Sequence, residues 1–363
     1  MIISFETYHQ EIEINESNFE ILNSISINSE NDKKVRTLLL KWFGNEKFVF
    51  KSSGSTGKPK EFTFTKEQVK LSAEASIEAF GLTQKDHLLL LMNADFVGAA
   101  MLVLRAAVLD AKLSVMPILS ASTLGIETNH NYTFCSMVPL QMMESIKQDE
   151  EAIFKLKRFK KILLGGNSIF MKLEQLIKEN GLNVYHSYGM TETLSHVAIR
   201  QIGHSSYFKT LRGTFIKLNE DQCICIKNSI TNDWLETNDL AEMNTEGDIK
   251  IIGRKDFVIN SGGIKYSPET IESRIHEFLE KQAIQWNELM IGWIQSEQWG
   301  QELILLIENQ EIEEEVFNQL KIYLKQFPEK HAYPKSWKQI KSFKRTENGK
   351  LDRKNTIELA QNQ

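Results

Sequence analysis

The chain has 363 residues, of which 41% are hydrophobic and 25% charged, with a net charge of −5. That length accommodates one large domain and a smaller one, with the composition of an ordinary globular protein. The negative balance argues against a general nucleic-acid binder. Three cysteines, Cys135, Cys223 and Cys225, show no metal-ligand spacing. They read as reduced thiols of a cytoplasmic protein rather than a disulfide framework. The opening Met-Ile-Ile-Ser-Phe-Glu has neither the basic nor the apolar region of a signal peptide. The most apolar region, 88–119, is broken by Asn93, Asp95, Arg105 and Asp110, so no membrane span is expected.

Residues 1–45 read as a small edge strand with one or two helices. A strand-like run at 48–50 leads into the polar stretch 52–60, Ser-Ser-Gly-Ser-Thr-Gly-Lys-Pro-Lys. Thr65 and Gln68 then have capping-box spacing, Val69, Ala73, Ile77 and Phe80 recur at helical intervals, and Gly81 can close the helix. The start of that helix is expected to face the polar stretch, where its dipole favours an anion. Strands are expected over 88–92, 113–119, 132–137, 160–164 and 182–186, alternating with helices over 96–109, 140–148 and 171–180. That alternation predicts an α/β fold with a parallel sheet, whose ligands sit beyond the carboxyl ends of the strands. Gly165-Gly166 and Tyr188-Gly189 fall at such ends. Short strands over 214–218, 222–227 and 248–252 predict a β subdomain. Beyond Arg254 a smaller α+β unit follows. In it, Ser267-Pro268 caps and opens a helix, 303–307 is a strand, and Val316, Leu320, Leu324 and Phe327 share one helix face.

The stretch 52–60 is rich in hydroxyls and lysines, and its two glycines let several N–H groups converge on one point, which suits a polyphosphate. It does not fit G-x-x-x-x-G-K-[ST], because Gly54 and Gly57 are too close and Pro59 replaces the metal-binding hydroxyl. Alone it is either another class of ATP loop or a polar turn. Three later stretches bear on the choice: YGMTET at 188–193, GRKD at 253–256 and RTENGKLDR at 345–353. Together, in this order, the four stretches resemble the adenylate-forming superfamily of acyl- and aryl-CoA ligases, luciferases and adenylation domains. The chain departs from the family in having Glu61 where Gly is usual, and in a much shortened region before the loop.

The resemblance implies a shortened N-terminal AMP-binding domain over 1–253, a hinge at 254–256 centred on Asp256, and a mobile C-terminal domain over 257–363. It implies ATP, Mg2+ and coenzyme A as cofactor and co-substrates. It implies nucleotide contacts from Ser53, Gly54, Ser55, Thr56, Gly57, Lys58 and Lys60 in the loop, and from Gly165, Gly166 and Asn167 beside the adenine. Ser187, Tyr188, Gly189 and Met190 would line the same pocket, with Thr191 on the phosphates and Glu192 on Mg2+. Asp239 would meet the ribose, although Asn238 stands where the family has Gly, and Arg254 would add a ribose or phosphate contact. Lys350 would be the catalytic lysine of adenylation, and Gly262 and Gly263, within 261–265, would line the CoA channel. The partners implied are a small-molecule carboxylate and CoA, with neither nucleic acid nor membrane, and a homodimer is compatible.

Met137-Val138-Pro139-Leu140-Gln141, the shortened N-terminus and the Tyr-Gly-Met-Thr-Glu-Thr stretch at 188–193 together look most like the o-succinylbenzoate–CoA ligase family of menaquinone biosynthesis, in a compact form. Against this, 92–96 (Met-Asn-Ala-Asp-Phe) lacks the histidine often found beside the acyl pocket. His186, Ser187, His196 and Arg200 lie near the expected site, where one could meet a substrate carboxylate. Another acyl- or aryl-CoA ligase, a carrier-protein adenylating enzyme and a non-catalytic nucleotide-binding relic remain as alternatives.

Overall fold

The computed structural model describes all residues except 6–9, 28, 53–59, 117–130, 167, 170, 346–350 and 363. The chain divides into two compact units. The first comprises Met1–Ile216, Ile226–Leu235 and Thr245–Asp248, the second Lys217–Cys225, Glu236–Asn244 and Ile249–Gln363.

The first unit opens with β1 (Ile2–Phe5), β2 (Gln10–Glu13) and α1 (Glu30–Phe43), which Ser29 caps through its side chain. A hairpin of β3 (Phe48–Lys51) and β4 (Glu61–Phe64) follows, then α2 (Lys66–Phe80), β5 (His87–Leu90), α3 (Val97–Leu109) and β6 (Lys112–Val115). Next come β7 (Phe134–Met137), α4 (Pro139–Gln148), α5 (Ala152–Lys157), β8 (Lys161–Leu164) and α6 (Met171–Glu179). β9 (Val184–Met190), β10 (Ser195–Gln201) and β11 (Lys209–Thr210) complete the run. The expected cap of α2 is present as a reciprocal box between Thr65 and Gln68, and Gly81 ends the helix at φ 57°.

Nine strands form one sheet in the order β11-β10-β9-β8-β7-β5-β6-β1-β2. The six from β9 to β1 run parallel, and β2 and β10 join antiparallel. Parallel strands are buried on both faces and need apolar residues at odd and even positions alike. In β5, Leu88 and Leu90 face a core shared with Val69, Ala73 and Met101 of α2 and α3. Leu89 faces the opposite core, with Met142, Leu156 and Leu173 of α4, α5 and α6. Two expectations shift here. The strand expected over 113–119 ends at Val115, and 117–119 lie outside the described residues. The strand expected over 182–186 continues to Met190, because β10 folds back and pairs with its last residues, so Tyr188 and Gly189 lie within it.

The strands β12 (Phe215–Leu218), β13 (Cys223–Lys227), β14 (Leu235–Met243) and β15 (Ile249–Arg254) form a four-stranded sheet in that order. The rest of the second unit runs β16 (Ile259–Ser261), β17 (Ile264–Tyr266), α7 (Pro268–Lys281), β18 (Leu289–Ser296), β19 (Gly300–Glu308), α8 (Glu314–Leu324), β20 (Ser336–Ile340) and α9 (Arg353–Asn362). Its five-stranded sheet packs Ile291, Leu305 and Ile307 against Ile275 and Phe278 of α7 and Leu320 of α8. Pro268 begins α7 as expected, but the Ser267 hydroxyl does not cap it. That hydroxyl is shared between the Glu269 carboxylate at 3.0 Å and the Ile252 carbonyl at 3.2 Å, both acceptors.

Candidate active site

In the first unit the expected site residues gather at the carboxyl ends of β8 and β9. β8 ends at Leu164, and the next residue, Gly165, donates its N–H to Met137 O of β7 at 3.2 Å. A Cβ at Gly165 would lie 2.8 Å from Ser187 Oγ, which donates to Leu164 O at 3.0 Å. The hydroxyl of one strand therefore occupies the place of a side chain on its neighbour. Gly166 follows with φ +89°, and Asn167 lies outside the described residues.

β9 carries Ser187, Tyr188, Gly189 and Met190. Tyr188 is 8% exposed and meets Phe208 edge-on at 6.4 Å. Gly189 sits opposite His196, with a register shift just beyond, so closely that a Cβ would lie 2.2 Å from Ser195 O. Thr191–Thr193 make one 3-10 turn. The Thr193 hydroxyl accepts from Met190 N–H at 3.1 Å and lies 2.7 Å from Ser195 O, to which it donates. Two left-handed residues, Leu194 (φ 51°) and Ser195 (φ 88°), complete the corner. Thr191 and Glu192 are half-buried on its rim, and Glu192 forms no ion pair with the described residues. Those residues hold no cluster of three or more potential metal ligands. One open carboxylate beside a hydroxyl fits Mg2+, which keeps waters and phosphate oxygens rather than an all-protein cage.

Of the expected phosphate loop, Ser53, Gly54, Ser55, Thr56, Gly57 and Lys58 lie outside the described residues. The flanks are closed: Ser52 N–H donates to Lys60 O at 2.8 Å, and Lys60 N–H to Ser52 Oγ at 3.2 Å. Glu61, the departure from the family, pairs with Lys51 across the hairpin at 3.3 Å. α2 does not follow the loop directly. The four residues of β4 intervene, about 13 Å of extended chain. A helix dipole acts within about one turn, so the expected help from α2 is absent from Lys60.

The second unit presents its own set. Asp239 of β14 stands opposite Arg254 of β15. Arg254 donates to Asp239 Oδ1 at 3.1 Å through Nη1 and to Asp256 Oδ2 at 2.7 Å through Nη2. One guanidinium thus links the expected ribose carboxylate to the expected hinge residue. Gly262 (φ +60°) and Gly263 (φ +81°) turn the chain from β16 to β17, and a Cβ at Gly262 would meet the Trp299 ring at 2.6 Å. Lys350 lies outside the described residues. Its flanks are pinned by a bridge between Arg345 and Leu351 and by Asp352 N–H donating to Lys344 O at 2.8 Å. Arg353 grips both oxygens of Glu272, one at 2.7 Å, and Glu272 also accepts Ile291 N–H at 2.6 Å. Burial by itself would lower the Arg353 pKa, but Glu272 and Glu269 raise it overall.

Among the side chains near the site, Arg200 pairs with Glu174 at 2.5 Å, His186 packs on Phe208 at 5.1 Å, and His196 is buried. Sequence reasoning missed the role of Arg105, which reaches His196 from inside an apolar helix. No local motif marks such a residue.

The AMP-binding enzyme family matches residues 48–222. A solved acyl-CoA synthetase (AMP-forming)/AMP-acid ligase II-like protein from Dyadobacter fermentans is 30% identical, with a TM-score of 0.59, over 93% of this chain and 97% of that one. The 2-succinylbenzoate–CoA ligase of Listeria monocytogenes is 24% identical over 90% of this chain and 73% of its own length. That of Bacillus subtilis is 25% identical over 61% of this chain and 51% of its own. The chain therefore spans between half and three quarters of these two ligases, and nearly all of the Dyadobacter fermentans protein. The Bacillus subtilis o-succinylbenzoate CoA synthetase in complex with its acyl-adenylate intermediate gives a TM-score of 0.72 at 23% identity, over 84% of this chain and 68% of that one.

Proposed function

The chain belongs to the AMP-binding enzyme family, and we propose that it is an AMP-forming carboxylate–CoA ligase whose acid is 2-succinylbenzoate, acting in menaquinone biosynthesis. The observation that carries the reading is the meeting of Gly165, Gly166 and Ser187 through Glu192 at the carboxyl ends of adjacent parallel strands, where such sheets bind ligands.

In the first step a substrate carboxylate oxygen attacks the α-phosphorus of ATP, pyrophosphate leaves, and an acyl-adenylate forms. The 53–60 loop cradles the departing phosphates, Tyr188 packs on adenine, and Asp239 with Arg254 orients the ribose. Glu192, with Thr191 alongside, would hold Mg2+, which would supply charge to offset that on the phosphate oxygens. Lys350 bridges the substrate carboxylate and the α-phosphate, where negative charge gathers. In the second step the CoA thiol, losing its proton, attacks the acyl carbonyl and expels AMP, with Gly262 and Gly263 beside the thiol's path. Both steps depend on holding reactants in line. Rotation at 254–256, with Asp256 as its pivot, exchanges Lys350 for the 261–265 loop.

A cytoplasmic setting belongs to the same proposal. Among the described residues no helix is long and apolar enough to cross a membrane. A homodimer is open to test by light scattering. The decisive experiment is pyrophosphate release with Mg·ATP and CoA across 2-succinylbenzoate, fatty acids and cinnamates. Turnover with 2-succinylbenzoate alone, with its thioester seen by mass spectrometry, supports the reading. Turnover only with other acids keeps the chemistry and rejects the substrate. ATP–pyrophosphate exchange without transfer to CoA points to a carrier protein, and silence throughout to a non-catalytic relic.

A further inference from the structure

Behind the corner that carries Thr191 and Glu192, a polar cluster sits within the apolar core of the first unit. Arg105 of α3 is 1% exposed, and its Nε and Nη1 have no hydrogen-bond partner among the described residues. Burial pulls its pKa down to about 9, with no acidic neighbour opposing the shift. A buried cation without a counter-charge is costly, and an apolar side chain would fill the same place at lower cost. What Arg105 does there is donate. Its Nη2 lies 3.3 Å from His196 Nδ1 and 3.5 Å from Ser195 Oγ.

A guanidinium cannot accept, so Nδ1 is the acceptor and the His196 proton resides on Nε2. Nε2 lies 2.9 Å from Ser76 Oγ and donates to it. Ser76 Oγ donates to Ser72 O at 3.3 Å, and Ser72 Oγ donates to Leu194 O at 2.8 Å. Burial first, and the Arg105 charge second, hold His196 neutral well below its usual pKa, which keeps this donor order fixed. Two separate contacts reach the corner, Ser72 Oγ on Leu194 O and Arg105 Nη2 on Ser195 Oγ, and they meet at its consecutive left-handed residues. Neither is glycine, and residues with side chains hold that conformation only when their surroundings impose it. From the other side, His196 Cα presses on Gly189, 2.4 Å from where a Cβ would stand.

We infer that Arg105, His196, Ser76 and Ser72 are positioning residues for nucleotide binding, a role that rests on the ligase reading above. They impose the left-handed corner at Leu194 and Ser195 and so set where the Thr191 hydroxyl and Glu192 carboxylate meet the metal-bound triphosphate. None of the four touches the nucleotide.

The test is calorimetric titration of the full chain and its variants with Mg·ATP and with AMP, alongside thermal melts. Ser72→Ala and Arg105→Met are expected to weaken Mg·ATP roughly fivefold to tenfold, the worth of one hydrogen bond, while AMP affinity stays within about twofold. Arg105→Met is expected to melt no lower than the unaltered chain, since it removes an uncompensated buried charge. Arg105→Lys, which keeps a donor for Nδ1, should recover most of the Mg·ATP affinity. Ser72→Ala, at a half-buried helix position that favours Ala, decides the matter if Arg105→Met does not fold. Unchanged Mg·ATP affinity in these variants overturns the inference alone. So does equal loss for Mg·ATP and AMP with a lower melting temperature, the mark of general damage. If the unaltered chain binds no Mg·ATP, the ligase reading falls and the inference with it.

Discussion

Gly189→Ala is the sharpest test of how the corner is built. The added Cβ would lie 2.2 Å from Ser195 O, 2.4 Å from His196 Cα and 2.7 Å from Ser195 C. Ordinary contact begins at 3.4 Å, so β9 and β10 must part by about 1.2 Å (3.4 − 2.2) at this point. All three atoms are backbone, and no side-chain rotation relieves the clash. Overpacking of this kind costs about 1–3 kcal/mol, and the upper end applies where the obstruction is rigid. At about 3 kcal/mol, a unit of this size loses roughly 6–12 °C in melting temperature. Gly165→Ala is the matched comparison. Its Cβ would meet only Ser187 Oγ, at 2.8 Å, which can swing away and forfeit one hydrogen bond, about 1 kcal/mol. Thermal unfolding followed by circular dichroism, with and without Mg·ATP, measures both. If Gly189→Ala melts within about 2 °C of the unaltered chain, the strands are not held together as described.

Three further outcomes are expected. Arg353→Met leaves Glu272 buried without its cation; the side chains are 12% and 11% exposed, and breaking such a pair costs about 3–5 kcal/mol. A denaturation midpoint equal to that of the unaltered chain would contradict this. His196 stays neutral when folded but titrates near 6.5 when unfolded, so its contribution is complete above that pH and lost as pH falls below it. The slope approaches about 1.4 kcal/mol per pH unit, and His196→Asn removes it. His276, also pulled down by burial, acts in the same direction and keeps its share. Identical stability profiles for variant and parent between about pH 5 and 8 would refute the assignment. Lys350→Ala should cut ATP–pyrophosphate exchange at least about 100-fold, yet leave thioester formation from supplied acyl-adenylate in place. Exchange at the parental rate would remove Lys350 from adenylation.

What could be read from the sequence was local. The box of Thr65 and Gln68 and the left-handed Gly81 involve neighbours in the chain, so residue type and spacing were enough. The apolar runs of β5, β7 and β8 announced strands buried on both faces. The return strand β10 was not legible, because its corner is made by Leu194 and Ser195, residues that do not advertise positive φ. Distant contacts impose that geometry. Ser267 shows the same limit in reverse. Its type and position announce a cap, but the hydroxyl goes to the Glu269 carboxylate and to the Ile252 carbonyl, the latter distant in sequence. The strand β4 was hidden within a stretch whose polar loop drew the eye to α2. Arg105 broke the apolar pattern of α3 visibly, yet its partners, Ser195 and His196, come from β10, some 90 residues on.

The margins of the nine-stranded sheet limit how copies of this chain can meet. One margin is β2, Gln-Glu-Ile-Glu, with Glu11 and Glu13 exposed and Glu11 held by Lys112. Two such strands laid antiparallel about Ile12 would set Glu11 of each against Glu13 of the other, and facing like charges oppose pairing. The other margin, β11, has two residues, too few to template a neighbour. Growth of the sheet from copy to copy is blocked at both rims, by repulsion at one and by brevity at the other. Neutralising Glu11 and Glu13 should therefore open a route to strand-mediated association that the acidic rim keeps closed.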